Sequence, residues 1–209
     1  MHLKKAAIFI FPDVEELDFV GVFEVLAKSR GMHEEGVIHL DKPIQVDILA
    51  REKEVKCRNG LIVKPNKIAS SFNGYDILIV PGGKGVYKVM KDKKILTNIQ
   101  AFARERKHFV CSVCTGSLIL GKAGILANKK AATHHMHRNE LKEYCKIAKE
   151  RVVVDDNIIT SGGIACSIDL GLKLLKLLYG KDIAEKVAER LEIKGSKCNR
   201  VIEREKFSS

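Results

Sequence analysis

The fold is decided by His108-Phe109-Val110-Cys111-Ser112-Val113-Cys114-Thr115-Gly116-Ser117-Leu118-Ile119-Leu120-Gly121. A run of β-prone residues ends at the small-residue turn Cys114-Thr115-Gly116, and apolar residues then recur at helical spacing. The pattern predicts a strand, a sharp bend and a helix, with a cysteine at the bend.

A cysteine at such a bend projects from the backbone, and Gly116 lets the following helix pack closely behind it. We expect Cys114 to face a pocket and to lie at the positive end of that helix, where the thiolate is favoured over the thiol. The residue pattern also fits a small buried hydrophobic cysteine, so other stretches must decide whether Cys114 is a nucleophile.

Length and composition predict one domain over residues 1–191, followed by a polar, basic C-terminal tail over residues 192–209. The chain has 209 residues, of which 45% are hydrophobic, and this is enough for a sizeable core. No apolar run approaches the roughly 20 residues that span a bilayer, and Met1-His2-Leu3-Lys4-Lys5 leads directly into a strand pattern. We therefore expect a cytoplasmic protein with no membrane partner.

The six cysteines are scattered and lack the density of a disulfide scaffold, so we expect them to be reduced. The formal net charge of +11 raises the question of nucleic acid. However, the basic residues are interleaved with acids along predicted surface helices, as in Arg104-Glu105-Arg106-Lys107 and in 181–190. Nucleic-acid binding is therefore an unlikely interpretation, and solvated helix faces account for most of the charge.

Apolar runs alternate with helical patterns along the chain. Buried strands are predicted at 4–11, 44–50, 75–80 and 109–113, a hairpin at 55–63 with an Asn59-Gly60 turn, a short strand at 131–135, and a second hairpin at 151–160. Helical patterns occupy 19–26, 86–90, 95–106, 117–123, 139–144, 170–178 and 183–191. This alternation predicts an α/β fold, a mostly parallel sheet covered by helices on both faces.

Ligands of such sheets bind beyond the carboxyl ends of the strands, and four features of the sequence fall at that edge. They are the turn after Phe11, the Gly82-Gly83 pair, Cys114, and Ser161-Gly162-Gly163. Gly82-Gly83-Lys84-Gly85 lacks the spacing of a Walker motif, so a backbone amide directed at a substrate on Cys114 is the better interpretation. The acids Asp13, Glu15 and Glu16 fit simple stabilisation of a helix start.

Two metal or redox alternatives are weaker. Cys111 and Cys114 have the spacing of a zinc or redox half-site, but strand alternation gives them opposite facings and no second cysteine pair has ligand spacing. Alternation in a strand would put His135 and His137 on one face, yet no third ligand is evident. We therefore predict no metal site and expect these histidines to be solvated or to lie at a dimer contact.

Separated motifs nevertheless occur in an order that resembles a known family. They are Ile10-Phe11-Pro12 with Leu17-Asp18, Gly21 and Glu24-Val25-Leu26; Val80-Pro81-Gly82-Gly83; Ser112-Val113-Cys114-Thr115-Gly116-Ser117-Leu118; Ala132-Thr133-His134; and Gly162-Gly163-Ile164 with Ile168-Asp169. Over residues 4–190 the sequence resembles the ThiJ/PfpI superfamily of class I glutamine amidotransferase-like proteins, and within it the isocyanide hydratase branch.

The resemblance implies a flavodoxin-like doubly wound sheet, a homodimer, a small-molecule substrate and no cofactor. It implies Cys114 as the nucleophile, Asp18 as the acid that contacts it, and Thr115 in place of a histidine found in the protease branch. Gly83 and Thr115 would offer backbone amides to a charged adduct. Further pocket residues implied by the match are Gly82, Thr133, His134, Gly162, Gly163 and Ile164.

With Asp18 against Cys114, one proton would serve both groups. The implied reaction is addition of water to an isocyanide, through a thioimidate on Cys114, to give an N-substituted formamide. Three alternatives stay open: an amidase or protease-like hydrolase, which the missing histidine disfavours; a glyoxalase or deglycase-type stress protein; and a redox sensor or ligand-sensing domain of an AraC-type regulator without its DNA-binding region.

Overall fold

The computed structural model describes residues 4–69 and 71–193. Seven strands form the main sheet: β1 (Lys4–Phe9), β2 (Ile44–Ala50), β5 (Lys67–Ile68), β6 (Ile77–Val80), β7 (Phe109–Val113), β10 (Val152–Asp155) and β11 (Ile158–Ser161). Two further pairs are β3 (Val55–Lys56) with β4 (Ile62–Val63), and β8 (Lys130–Ala131) with β9 (Lys146–Ile147). From residue 194 onward the predicted basic tail lies outside the described residues.

The main sheet has the order β10-β11-β7-β6-β1-β2-β5, and only β10 runs antiparallel to its neighbour. All four residues of β6 are buried, as expected for a strand covered on both faces. The predicted mostly parallel α/β sheet is therefore confirmed.

Helices join the strands and cover the sheet. They are α1 (Glu16–Glu34), α2 (Val86–Val89), α3 (Lys93–Arg104), α4 (Gly116–Lys122), α5 (Arg138–Leu141), α6 (Cys166–Tyr179) and α7 (Lys181–Arg190), with a 3₁₀ turn at His135–His137. Helices α1, α6 and α7 pack together, while α4 contacts α2, α3 and α5. The carboxyl ends of β1, β6, β7 and β11 consequently lie side by side beneath the loops that lead into α1, α2, α4 and α6.

Two local predictions differ from the structure. Residues 131–135 do not form a strand beyond Ala131, because the His134 ring accepts the Met136 amide and the His134 carbonyl accepts the His137 amide, which closes a helical turn. His135 and His137 therefore do not lie on one face of a strand, as alternation would have placed them.

The hairpin β3–β4 is present, but its turn is not the predicted two-residue Asn-Gly connection. The Cys57 amide donates to the Leu61 carbonyl over 2.8 Å, and the Gly60 amide donates to the Cys57 carbonyl over 3.2 Å. Gly60 has φ 105°, a left-handed conformation that glycine adopts readily. The longer turn leaves the Asn59 side chain free to bond to the start of α1.

Candidate active site

Cys114 lies at the bend between β7 and α4, with φ 55°. This left-handed conformation is uncommon for a residue other than glycine and persists only where the surroundings fix it. The Cys114 amide donates to the carbonyls of Ser161 and Gly162 over 3.2 and 3.0 Å, and the Cys114 carbonyl accepts the hydroxyls of Ser117 and Thr133 over 3.1 and 3.0 Å. Four hydrogen bonds therefore hold the cysteine in the predicted bend.

Gly116 allows α4 to begin directly against the end of β6. A Cβ atom on this residue would lie 2.1 Å from the Val80 carbonyl oxygen and 2.8 Å from the Pro81 carbonyl oxygen. Only glycine fits, as the sequence pattern predicted.

Asp18 lies in the first turn of α1 and is fully buried. The Gly82 amide donates to its Oδ2 over 2.9 Å, whereas Oδ1 is buried and accepts no hydrogen bond from any described residue. Its carboxyl group lies close enough to the Cys114 thiol for each group to shift the pKa of the other. The structure thus brings Asp18 and Cys114 together, and the unpartnered Oδ1 is the oxygen available to carry a proton.

Thr115 connects Cys114 to the Gly82-Gly83 loop. The Gly83 amide donates to Thr115 Oγ1 over 3.0 Å, so in this arrangement it is not free for the predicted contact with a charged adduct on Cys114. The amide and hydroxyl of Thr115 instead face the Cys114 sulfur and lower the pKa of the thiol. Gly83 therefore positions Thr115, and Thr115 supplies the donors beside the reacting atom.

The protonation of the pair differs from the prediction. Burial, and then the charge of Asp18, raise the pKa of the Cys114 thiol to about 12, and the Thr115 donors do not offset them. These effects favour the thiol and act against the predicted thiolate, because removing a charge from water outweighs the dipole of the short helix α4. Burial, and then the charge of Glu15, raise the pKa of Asp18 to about 7. Burial thus shifts both groups toward their neutral forms, and near pH 7 Asp18 is able to accept the thiol proton.

The remaining predicted pocket residues lie in two loops beside the bend. The Thr133 hydroxyl bonds to Cys114, and the ring of His134 packs so close to Gly163 that a Cβ there would lie 2.1 Å from His134 Cδ2. Burial, and then the neighbouring His135, lower the pKa of His134, which favours the neutral ring. Gly162 bonds to Cys114 through its carbonyl, and Ile164 lies two residues farther on, half-buried.

Glu15 and Asn59 contribute to the site in ways that were not predicted from the sequence. Glu15 was interpreted only as a charge at a helix start, yet it raises the pKa of Asp18. Its carboxylate also accepts a hydrogen bond from the side-chain amide of Asn59 over 3.1 Å. The spacing of Glu15 and Asp18 could have indicated the effect on Asp18, since residues three apart at a helix start lie on neighbouring positions of one face.

Within residues 4–69 and 71–193, no group of three or more His, Cys, Asp or Glu side chains is arranged to hold a metal ion. The five cysteines in this part of the chain are all free. No helix there combines the length and apolar character needed to cross a bilayer.

The chain is similar to known proteins over most of its length. Residues 4–177 match the model of the DJ-1/PfpI family. The isonitrile hydratase of Pseudomonas putida is 38% identical over 88% of this chain and 75% of its own length. A glutathione-independent glyoxalase, DJR-1.2 of Caenorhabditis elegans, is 24% identical over 87% of this chain and 93% of its own. A solved ThiJ/PfpI family protein from Pseudomonas syringae superposes with a TM-score of 0.76 at 26% identity, covering 93% of this chain and 76% of that protein.

Proposed function

Because the chain belongs to the DJ-1/PfpI family, we propose that it is a cysteine-dependent enzyme that adds water to an isocyanide, the compound class also called isonitriles. The observation that carries this proposal is the contact of the Cys114 thiol with the buried Asp18 carboxyl, whose pKa is raised to about 7. The similarity to an isonitrile hydratase over most of the chain supports the choice of substrate class.

In the first step the Cys114 sulfur attacks the terminal carbon of the isocyanide. Asp18 takes the thiol proton as the carbon–sulfur bond forms, and its Oδ1 is the site for that proton because Oδ2 already accepts the Gly82 amide. The proton then passes to the carbon, which has gained the electron pair. The product is a neutral thioimidate on Cys114, and Asp18 is again a carboxylate.

In the second step water adds across the carbon–nitrogen double bond, so that its hydroxyl joins the carbon and its other proton reaches the nitrogen through Asp18. The carbonyl then forms as the carbon–sulfur bond breaks, and the hydroxyl proton returns to the pair. An N-substituted formamide leaves, and the pair again holds one proton. The Thr115 hydroxyl, next to the sulfur, is placed to orient the water.

The test is to incubate the protein with an aliphatic isocyanide and to measure formamide by NMR. We expect Cys114→Ala to lower the rate by about 10⁴-fold or more, because the covalent route is lost. Cys145→Ala, which changes a half-buried cysteine outside the site, is the matched control and should retain the rate. The wild-type rate should fall below about pH 7, where Asp18 becomes protonated and no longer takes the thiol proton. Formamide production by Cys114→Ala at the wild-type rate would exclude the mechanism.

A glyoxalase-type reaction, which converts a 2-oxoaldehyde to a 2-hydroxy acid, is a second candidate. It is favoured by His134, a neutral ring next to Thr133 that offers an additional base for moving a proton between two carbons. The similarity to the glyoxalase of Caenorhabditis elegans supports it at lower identity. Methylglyoxal in the same NMR assay separates the two candidates, since lactate in place of formamide would favour this second reaction.

A further inference from the structure

The tip of the β3–β4 hairpin is attached to the start of α1 through Asn59. Its backbone amide donates to Glu16 Oε1 over 2.7 Å, and its side-chain Nδ2 donates to Glu16 Oε2 over 2.7 Å and to Glu15 Oε1 over 3.1 Å. A single neutral residue thus satisfies two adjacent carboxylates. Hydrogen bonds to charged groups are about twice as strong as those between neutral groups, so these three bonds link the hairpin to the start of the helix.

Backbone hydrogen bonds reinforce the same attachment. The Asp13 amide donates to the Lys56 carbonyl over 3.0 Å, and the Arg58 amide donates to the Val14 carbonyl over 2.8 Å. Asp13 has φ 61°, a left-handed conformation that needs such support. The hairpin therefore holds the segment 13–16 in a shape that this segment would not keep by itself.

The opposite side of the segment 13–16 contacts the loop that binds Asp18. Val14 forms a β-bridge with Gly83, and the Glu15 amide donates to the Gly82 carbonyl over 3.0 Å. Gly82 in turn donates its own amide to Asp18. A Cβ on Gly83 would lie 2.4 Å from the Asp13 carbonyl oxygen, so the two segments are in close contact.

We propose that Asn59 is a positioning residue for Asp18, which it holds against the Gly82-Gly83 loop by fixing Glu15 and Glu16. The proposal rests on the proposed role of Asp18 beside Cys114, but not on the isocyanide as substrate. Three ionisable groups act on or respond to the Asp18 charge from the elements around it: Glu15 at the start of α1, Cys114 at the bend, and Cys166 at the start of α6. Of these three groups, only Glu15 is bound by Asn59.

Loss of the Asn59 side-chain amide is expected to change the pKa of Asp18 in one direction. The Glu15 carboxylate would turn toward solvent, where its charge is screened, and the loosened hairpin would admit water near Asp18. Both changes favour the charged carboxylate. A weaker hydrogen bond from Gly82, which lowers the pKa of Asp18, would act against them, but burial has the larger effect, so the pKa of Asp18 should fall.

The test is the titration of Asp18 followed by NMR with ¹³C-carboxyl-labelled aspartate, where the Asp18 signal is the one missing from Asp18→Asn. We expect Asn59→Ala to lower the titration midpoint by about half a pH unit or more, and Asn59→Ser, which keeps a short donor, to lower it less. Glu15→Gln should also lower the midpoint, because it removes the charge but keeps an acceptor for Asn59. Asn73→Ala is the control and should match the wild type, because Asn73 is exposed and precedes the amino end of β6, at the other end of the strands from the site.

An unchanged midpoint in folded Asn59→Ala would overturn the proposal, whatever the substrate; if Asn59→Ala does not fold, an unchanged midpoint in Asn59→Ser would do so. A shifted midpoint in a protein that forms no formamide would leave it standing and reject only the isocyanide reaction.

Discussion

Asp18→Asn is expected to abolish turnover and, at pH 8, to make the protein more stable than the wild type. Asp18 is fully buried, and burial is the first cause of its raised pKa of about 7. The native state therefore binds more protons than the unfolded state between about pH 4 and pH 7, so stability falls as the pH rises through this window. Above pH 7 the wild type carries the whole penalty of a buried charge, and asparagine does not.

The expected gain at pH 8 is about 2–4 kcal/mol, which corresponds to a rise in melting temperature of roughly 5–15 °C. The difference should shrink toward zero near pH 4, where Asp18 is protonated in both states. Calorimetry or urea unfolding at pH 4, 6 and 8 would measure it. Asparagine keeps an oxygen to accept the Gly82 amide, so the fold is expected to be retained.

Asp47→Asn is a control of opposite sign. Burial raises the pKa of Asp47, but hydrogen bonds from Lys67 and Tyr75 outweigh burial and lower it overall. This substitution should therefore destabilise the protein at pH 8, with a loss that fades on acidification. If Asp18→Asn instead lost stability at pH 8 as Asp47→Asn does, Asp18 would be a structural anion and not a poised acid.

Gly116→Ala is expected to have the second large effect, a loss of about 3 kcal/mol or more in the free energy of unfolding. The new methyl group would lie 2.1 Å from the Val80 carbonyl oxygen, which belongs to a buried strand and has no room to move. The helix α4 would have to shift away from β6 and take Cys114 with it. Thermal unfolding of the purified variant would measure the loss.

Gly31→Ala is the matched control, because this glycine lies inside α1 and an added Cβ there would meet nothing within 4 Å. Alanine is the better helix former, so this variant should gain about 0.5–1 kcal/mol. A Gly116→Ala protein as stable as Gly31→Ala would show that the close approach of α4 to β6 is not required.

The strands and the bend were predictable because their signals are local. Continuous apolar runs mark buried parallel strands, and a cysteine between a strand pattern and a helix pattern marks the bend at Cys114. Gly31 shows the limit of such signals. The first helical pattern was predicted over 19–26, but α1 continues through Gly31 to Glu34, because a half-buried glycine costs too little to stop a helix that packs on α6.

The electrostatics of the site were not predictable in the same way. A helix start beside Cys114 favours a thiolate, but burial of the thiol, and then the charge of Asp18 from 96 positions away in the chain, raise its pKa instead. Likewise, Asn59-Gly60 has the sequence of a tight turn, yet the longer loop forms and Asn59 binds two carboxylates at the start of α1. Burial and long-range partners decide both outcomes, and neither is visible in a local pattern.

The central claim is that the Cys114 sulfur forms a covalent bond with the substrate while Asp18 moves the proton. Its most direct test is intact-protein and peptide mass spectrometry after rapid acid quenching of wild type with an aliphatic isocyanide, with Asp18→Asn and Cys114→Ala in parallel. We predict an added mass equal to one whole isocyanide on the peptide that contains Cys114 in wild type during turnover, and no added mass in Asp18→Asn or Cys114→Ala. Formamide formation by wild type with no adduct on Cys114 at any quench time, and at an undiminished rate in Asp18→Asn, would contradict the account.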